Sequence, residues 1–283
     1  MTVVPGGLQA EAGYTFTRPD AGVETHSLGE VLLRIGLVSR VELRIGVNSY
    51  VIERLPDGGE EGFEDILLGT KIGLLEPAPG LAAAPLRPAV AVLAGSSLPT
   101  GHEAFSAEEV NPEATLALAW SLSERFAFGS NLNVASLHED GERYGQISGS
   151  GALGISLTER LGAFVEYFGF SRQRPSGSAV HFIDGGVTLL RGEDLQLDVR
   201  AGFGLNDEAT DYFLGMGLVW RILPPPVTQP DSPRSAPGSK RTPTPAGPPR
   251  SNGSDEPRAP GRRSGRRAPP SACLPRSASW RGR

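Results

Sequence analysis

Four histidines, His26, His102, His138 and His181, are the first residues to weigh for chemistry. A metal site needs two such ligands, or cysteines, close in sequence. These four are scattered, and the one cysteine, Cys273, stands alone near the C-terminus. Nucleophilic catalysis needs a hydroxyl or thiol within hydrogen-bond reach of a base that a third group orients. Only Ser136 and His138 have the same-face spacing of a strand, no third group accompanies them, and a strand meets a polar loop there. They read as a solvated edge. Gly149-Ser150-Gly151-Ala152-Leu153-Gly154 fits the GxGxxG pattern, but a phosphate-binding turn needs a helix after it, and these glycines lie inside an alternating strand. The chain is therefore read as not an enzyme, with no cofactor and no metal.

The elements around these residues divide the chain in two. Proline is scarce up to Ile222 and dense beyond it. Residues 1–223 hold 15 Lys/Arg against 29 Asp/Glu, and residues 224–283 hold 12 against 3, so the overall charge of -5 describes neither part. No stretch approaches the 18 or more apolar residues of a membrane helix; Ala89-Val90-Ala91-Val92-Leu93-Ala94 is about as long as they come. If a membrane is crossed, strands must cross it.

Alternation supports that. Leu8, Ala10, Ala12, Tyr14 and Phe16 alternate with Gln9, Glu11, Gly13, Thr15 and Thr17. Val31, Leu33, Ile35 and Leu37, then Val41, Leu43, Ile45 and Val47, make a hairpin whose other face carries Glu30, Arg34, Glu42, Arg44 and Asn48. Further segments fall at about 63–75, 88–98, 113–122, 125–136, 144–157, 160–170, 180–190, 195–205 and 211–222, twelve in all. Each is about the length a tilted membrane strand needs, and bacterial barrels close on even numbers. Tight connections at Val38-Ser39-Arg40, Leu122-Ser123-Glu124, Leu157-Thr158-Glu159 and Arg191-Gly192-Glu193-Asp194 alternate with mostly longer polar ones near 53–62, 99–112, 137–143, 171–179 and 206–210. That asymmetry matches periplasmic turns and extracellular loops. The Ala- and Pro-rich segment Glu76 to Leu86 breaks it. The expected fold is all-β, a closed antiparallel up-and-down transmembrane barrel of about 12 strands over residues 1–223. Alternation alone also permits a soluble ligand-binding barrel with its apolar face inward.

With lipid on the apolar face, the other face lines the lumen. Its ionisable candidates are Glu11, Arg34, Glu42, Arg44, Asp65, Lys71, Glu166, Asp184, Asp198 and Arg200. Both signs on neighbouring strands permit ion pairs, which buried charges require. Such a network either rigidifies a plugged barrel or selects a solute by charge. Tyr14, Tyr50, Phe63, Trp120, Phe126, Tyr144, Phe170, Tyr212 and Trp220 fall near strand ends, where interfacial aromatic girdles sit.

Several segments look familiar in order: Pro5-Gly6-Gly7-Leu8-Gln9-Ala10-Glu11-Ala12-Gly13-Tyr14, Glu64-Asp65-Ile66-Leu67-Leu68-Gly69-Thr70-Lys71 and Leu98-Pro99-Thr100-Gly101. Phe164-Val165-Glu166-Tyr167-Phe168-Gly169, Leu195-Gln196-Leu197-Asp198 and Tyr212-Phe213-Leu214-Gly215-Met216-Gly217-Leu218-Val219-Trp220-Arg221 follow. Residues 5–222 thus resemble the outer-membrane family labelled for the MetA pathway of phenol degradation, often called transporters. The resemblance implies a β-barrel that moves small, aromatic or otherwise hydrophobic compounds across the bacterial outer membrane.

The expected function is thus a non-catalytic outer-membrane channel or transporter. Its partners would be outer-membrane lipid, an unidentified small solute and the barrel-assembly machinery. A structural or adhesive barrel with a plugged lumen is the alternative. Met1-Thr2-Val3-Val4-Pro5 has no basic, apolar or cleavage region of an export signal. An envelope destination therefore implies a true start upstream, or a fragment. Residues 224–283, rich in Pro, Ser, Gly and Arg, cannot bury enough surface to offset ordering entropy and are expected to form a disordered basic tail. Arg262-Arg263-Ser264-Gly265-Arg266-Arg267 carries charge for an anionic partner, but the tail reads as a linker or translated run-on, with no nucleic-acid partner expected.

Overall fold

A chain that alternates apolar and polar residues presents two unlike faces when extended, and those faces must meet two unlike surroundings. In the computed structural model the chain is extended almost throughout. The structure describes residues 2–18, 22–76 and 87–222. The expected tail, 224–283, and most of the segment from Glu76 to Leu86 lie outside the described residues.

Fourteen strands run in order: β1 (Leu8–Arg18), β2 (Glu24–Val38), β3 (Val41–Val47), β4 (Tyr50–Leu55), β5 (Gly58–Phe63), β6 (Ile66–Leu75) and β7 (Ala89–Leu98). After a 3-10 turn at Glu103–Phe105 come β8 (Asn111–Ser121), β9 (Phe126–Glu139), β10 (Glu142–Ser156), β11 (Leu161–Phe170), β12 (Val180–Arg191), β13 (Leu195–Gly204) and β14 (Tyr212–Ile222). Pairing is antiparallel throughout. β1 joins both ends of the sheet: it pairs with β2 on one side and with β14 on the other, from Leu8 opposite Ile222 to Arg18 opposite Tyr212. Closure removes the free edges an open sheet would present to a bilayer; among the described strands β5, at the loop end, pairs on one side only, with β4.

β2 pairs along its lower part with β3 and along its upper part with β4, while β6 pairs with β3 and β5 with β4. These four are therefore two long staves, each broken once, at Asn48-Ser49 and at Glu64-Asp65. The breaks are stitched together: Ser49 N donates to a Glu64 carboxylate oxygen at 3.0 Å and Glu64 N donates to Ser49 O at 2.9 Å. Counted as staves, the closed barrel has twelve.

Two expected loops are shorter than the sequence suggests. The ladder continues through most of 53–62 to a tight turn at Pro56-Asp57, and through 137–143 to Asp140-Gly141, whose φ of 51° and 77° are those a two-residue hairpin needs. Past the apolar band, water surrounds both faces of a strand, so polarity there no longer marks a loop.

The outward face is apolar. Leu68, Leu116, Leu132, Ile147, Val165, Ile183, Val199, Leu214 and Met216 are all exposed on it. Leaving a side chain of this size in water forgoes roughly 1.5–3 kcal/mol of transfer free energy, and a soluble protein does not carry such a belt around its whole girth. Lipid is the surrounding that fits, so the inside-out, soluble alternative does not describe this barrel. Among the described residues no helix is long and apolar enough to cross a membrane; the strands cross it.

Candidate functional site in the barrel lumen

Cross-strand register carries the inward face from strand to strand. On β1, β2, β3 and β6 it places Glu11, Arg34, Glu42, Arg44 and Lys71 together toward the end with the tight turns. Arg34 and Arg44 stand directly opposite one another, a repulsive pairing unless an anion lies between them. Glu42 supplies it: Arg34 donates from Nε at 2.8 Å and from Nη2 at 2.9 Å, and Arg44 donates from Nη1 at 3.0 Å. Arg34 also donates from Nη1 to Glu11 at 3.2 Å, and Gln9 donates to the same oxygen at 2.8 Å. Three cations share two carboxylates, so this sector keeps positive charge.

Residues before β1 cover it. Val3 N donates to Glu42 at 2.8 Å, and Gly6 N donates to Gly36 O at 2.8 Å. A Cβ on Gly36 would lie 1.9 Å from Val4 O, so only glycine lets this strap lie against the inner wall. Glu42 is fully buried beneath it.

A second group lies on β11 to β14. Glu166 and Asp184 are direct cross-strand partners, both buried. Arg200 approaches Asp184 at 3.9 Å, donates to Thr15 Oγ1 at 3.3 Å and lies 5.5 Å from the centre of the Phe213 ring. Asp198 lies over Gly217, where a Cβ would be 2.6 Å from its carboxylate oxygens. Nearer the loop end, Phe168, Phe170, Phe182 and Phe213 pack with Val180 and Ala209, and Phe168 stacks on Phe182 at 4.9 Å. These rings share the inward face with Glu166 and Asp184.

Asp65 joins neither group. It sits at the loop end of β6 and accepts three backbone N–H groups, from Thr100 at 3.0 Å, Gly101 at 2.9 Å and Ala107 at 2.9 Å. Its carboxylate organises the connection from β7 to β8. That connection is tied on its far side to β9 and β10, where His138 Nδ1 contacts Ala107 O at 2.8 Å and Glu109 pairs with Arg143.

Apart from Glu113 on β8, the remaining inward wall, on β8 to β10, is uncharged and polar. Asn133 donates to Thr115 Oγ1 at 2.8 Å, and Asn131 donates to Ser150 Oγ at 3.3 Å. Sequence reading, which sought charges, passed over this ladder, although every-second-residue spacing from Asn131 would have found it. The same parity corrects the girdle. Tyr144 and Phe170 are buried on the inward face, because Phe170 is in register with Ser148 and lies an even number of residues from Glu166. Ser136 and His138 do not bond one another; Ser136 Oγ accepts from Arg143 at 3.3 Å. Among the described residues no His, Cys, Asp and Glu cluster is arranged to hold a metal.

Residues 2–222 match the family described as "Putative MetA-pathway of phenol degradation", and the chain belongs to that family. No curated protein matches the sequence. The barrel is similar to the crystal structure of an outer membrane channel from Pseudomonas putida F1, at 11% identity over 78% of this chain and 97% of that one, with a TM-score of 0.60. It is also similar to the NanC porin, at 9% identity over 75% of this chain and 98% of that one, with a TM-score of 0.50. At such identities the likeness is one of fold.

Proposed function

We propose that this member of the family is a bacterial outer-membrane channel that passes small molecules without transforming them. The observation that carries the reading is the contrast between the two faces: a closed wall, apolar outside, whose inside carries clusters of charged and hydrogen-bonding groups. Glu11, Arg34, Glu42, Arg44, Lys71, Glu166, Asp184, Asp198 and Arg200 are the lining charges of two separate sectors, and both signs in each give a solute distinct surfaces to meet, while Asp65 stands apart at the loop end. The likeness in fold to outer-membrane channels supports the same reading, and the family's description favours small aromatic or hydrophobic solutes. Assembly into the membrane would draw on barrel-assembly machinery and lipid as partners.

The strap at Val3 to Gly7 narrows the end with the tight turns, and the phenylalanine cluster narrows one side of the other end. Passage therefore runs along the wall of β7 to β10, where Glu113 is the charge among uncharged polar groups. The test is solute-driven swelling of liposomes that contain the full chain. Uptake of small solutes that rises with protein content supports the channel; a folded barrel in tight vesicles refutes it.

A further inference from the structure

Four consecutive inward residues lie on one cross-strand line: Arg44 on β3, Gly69 on β6, Gly95 on β7 and Glu113 on β8. Neighbouring strands are about 4.8 Å apart, so the two charged Cα atoms are about 14 Å apart along the wall. Between them two glycines face each other with no side chain. Their backbones are so close that a Cβ on Gly95 would lie 3.1 Å from Gly69 Cα and 2.9 Å from Leu68 O. The floor is flat and bare for a structural reason, and both glycines are partly open to the lumen.

A shallow depression that opens into the lumen occupies this place. Leu67 borders it on one side, Leu93 and Thr115 on the other, and Arg44 and Glu113 stand at its ends. Arg44 uses one nitrogen, Nη1, on Glu42, whose other bonds come from Arg34 and Val3. Arg44 also lines the depression, in a sector that already holds more cations than carboxylates. Among the described residues no Lys or Arg is ion-paired with Glu113, and its cross-strand neighbours, Gly95 and Ala135, are neutral. The line therefore ends in a cationic pole and an anionic pole, with an apolar rim and a planar floor between them.

We infer that this depression is a solute-binding subsite for a small, flat organic carboxylate that carries a hydrogen-bond donor at its far end, such as a hydroxy- or amino-substituted aromatic acid. The carboxylate meets Arg44 in the bidentate geometry a guanidinium favours. The ring lies on Gly69 and Gly95 between Leu67 and Leu93. The distal hydroxyl or amine donates to Glu113, with Thr115 beside it. An acid lacking the distal donor leaves Glu113 unanswered, and a neutral phenol leaves Arg44 unanswered, so both bind more weakly. The inference deepens the channel reading by naming the solute class of the lumen, and it rests on that reading for its biological use.

The test is calorimetric titration of the full chain in detergent micelles with 4-hydroxybenzoate, benzoate and phenol, each also tried as a blocker of single-channel current. 4-Hydroxybenzoate is expected to bind best. Glu113→Gln is expected to weaken it by about tenfold and leave benzoate unchanged, whereas Arg44→Gln weakens both acids by a similar factor. Heat-modifiable gel mobility checks that each variant folds. Arg44→Lys, which keeps the charge but loses the fork, separates recognition from a lost ion pair and is expected to weaken both acids as well. Equal binding of the three probes, or variants that bind like the parent, overturns the subsite. Binding without any ionic current supports the subsite and sinks the channel, and current without selective binding does the reverse.

Discussion

Arg34 and Glu42 meet through two parallel hydrogen bonds, 2.8 Å and 2.9 Å long, on the inner wall of the barrel, and Glu42 has no exposure to solvent. The pair is what allows Arg34, Arg44 and Lys71 to occupy one sector. Removing one member of a buried pair leaves the other charge uncompensated, which costs about 3–5 kcal/mol. Glu42→Ala is expected to lower the free energy of urea unfolding from lipid vesicles by that order. An unfolding midpoint unchanged from the parent would show that the three cations do not depend on Glu42.

The strap adds a mechanical expectation. Val3 N and Gly6 N are its ties to the wall, at Glu42 and Gly36. A chain lacking residues 2–6 is expected to form the same heat-modifiable barrel with a larger unitary current. Current equal to that of the full chain would mean that the strap does not narrow the path.

Asp65 anchors a loop through three N–H bonds. Hydrogen bonds to a charged acceptor contribute about 1.5–3 kcal/mol each and do not add in full. Asp65→Ala is expected to speed hydrogen exchange at Thr100, Gly101 and Ala107 by about thirtyfold, the equivalent of about 2 kcal/mol of local stability. Exchange in the strand ladders should be unchanged. Protection at those three amides as strong as in the parent would contradict the anchoring role.

Acid should loosen the same loop at its other tie. The hydrogen bond from Arg143, and after it the charge of His138, hold Glu109 below the ordinary carboxylate value of 4.5. A carboxyl whose value is lowered on folding contributes fully above its unfolded value and loses that contribution as pH falls through the folded one. Proteolysis within residues 99–110 is therefore expected to rise on acidification below about pH 4.5, and Glu109→Gln should be cut readily at neutral pH with little further change. An acid response identical in the variant would remove Glu109 from the account.

Gly202 tests how the inner wall is packed. A Cβ there would lie 2.2 Å from Phe213 Cζ and 2.7 Å from Asp184 Cβ. Forcing extra volume into a packed interior costs about 1–3 kcal/mol, so Gly202→Ala is expected to lower barrel stability by that order in the same urea titration. A neutral outcome would mean that the ring moves aside freely.

The twelve staves were legible because a bilayer and a polar lumen impose a period of two on every strand, and the tight turns at Ser39-Arg40 and Gly192-Glu193-Asp194 punctuate it. Hairpin tips at Pro56-Asp57 and Asp140-Gly141 were not placed, since a strand standing in water on both faces loses its alternation. Within the lumen, charge was a usable guide to Glu11, Arg34 and Glu42. It was a poor guide to Phe168, Phe182 and Phe213, apolar residues on the same face as Glu166 and Asp184, because only register shows that a ring there packs on other rings and not on lipid. The line from Arg44 to Glu113 was illegible for a similar reason. Its members are separated by tens of residues, and its floor is two glycines that carry no side chain to notice.

The most direct test of the channel is single-channel recording of the full chain in planar bilayers, alongside a gel showing heat-modifiable mobility. Six acids, Glu11, Glu42, Glu113, Glu166, Asp184 and Asp198, against four bases, Arg34, Arg44, Lys71 and Arg200, leave the lumen weakly negative. The expected result is discrete current steps with a reversal potential that modestly favours cations. A correctly folded barrel that passes no current would contradict the central claim and leave a structural barrel with a plugged lumen in its place.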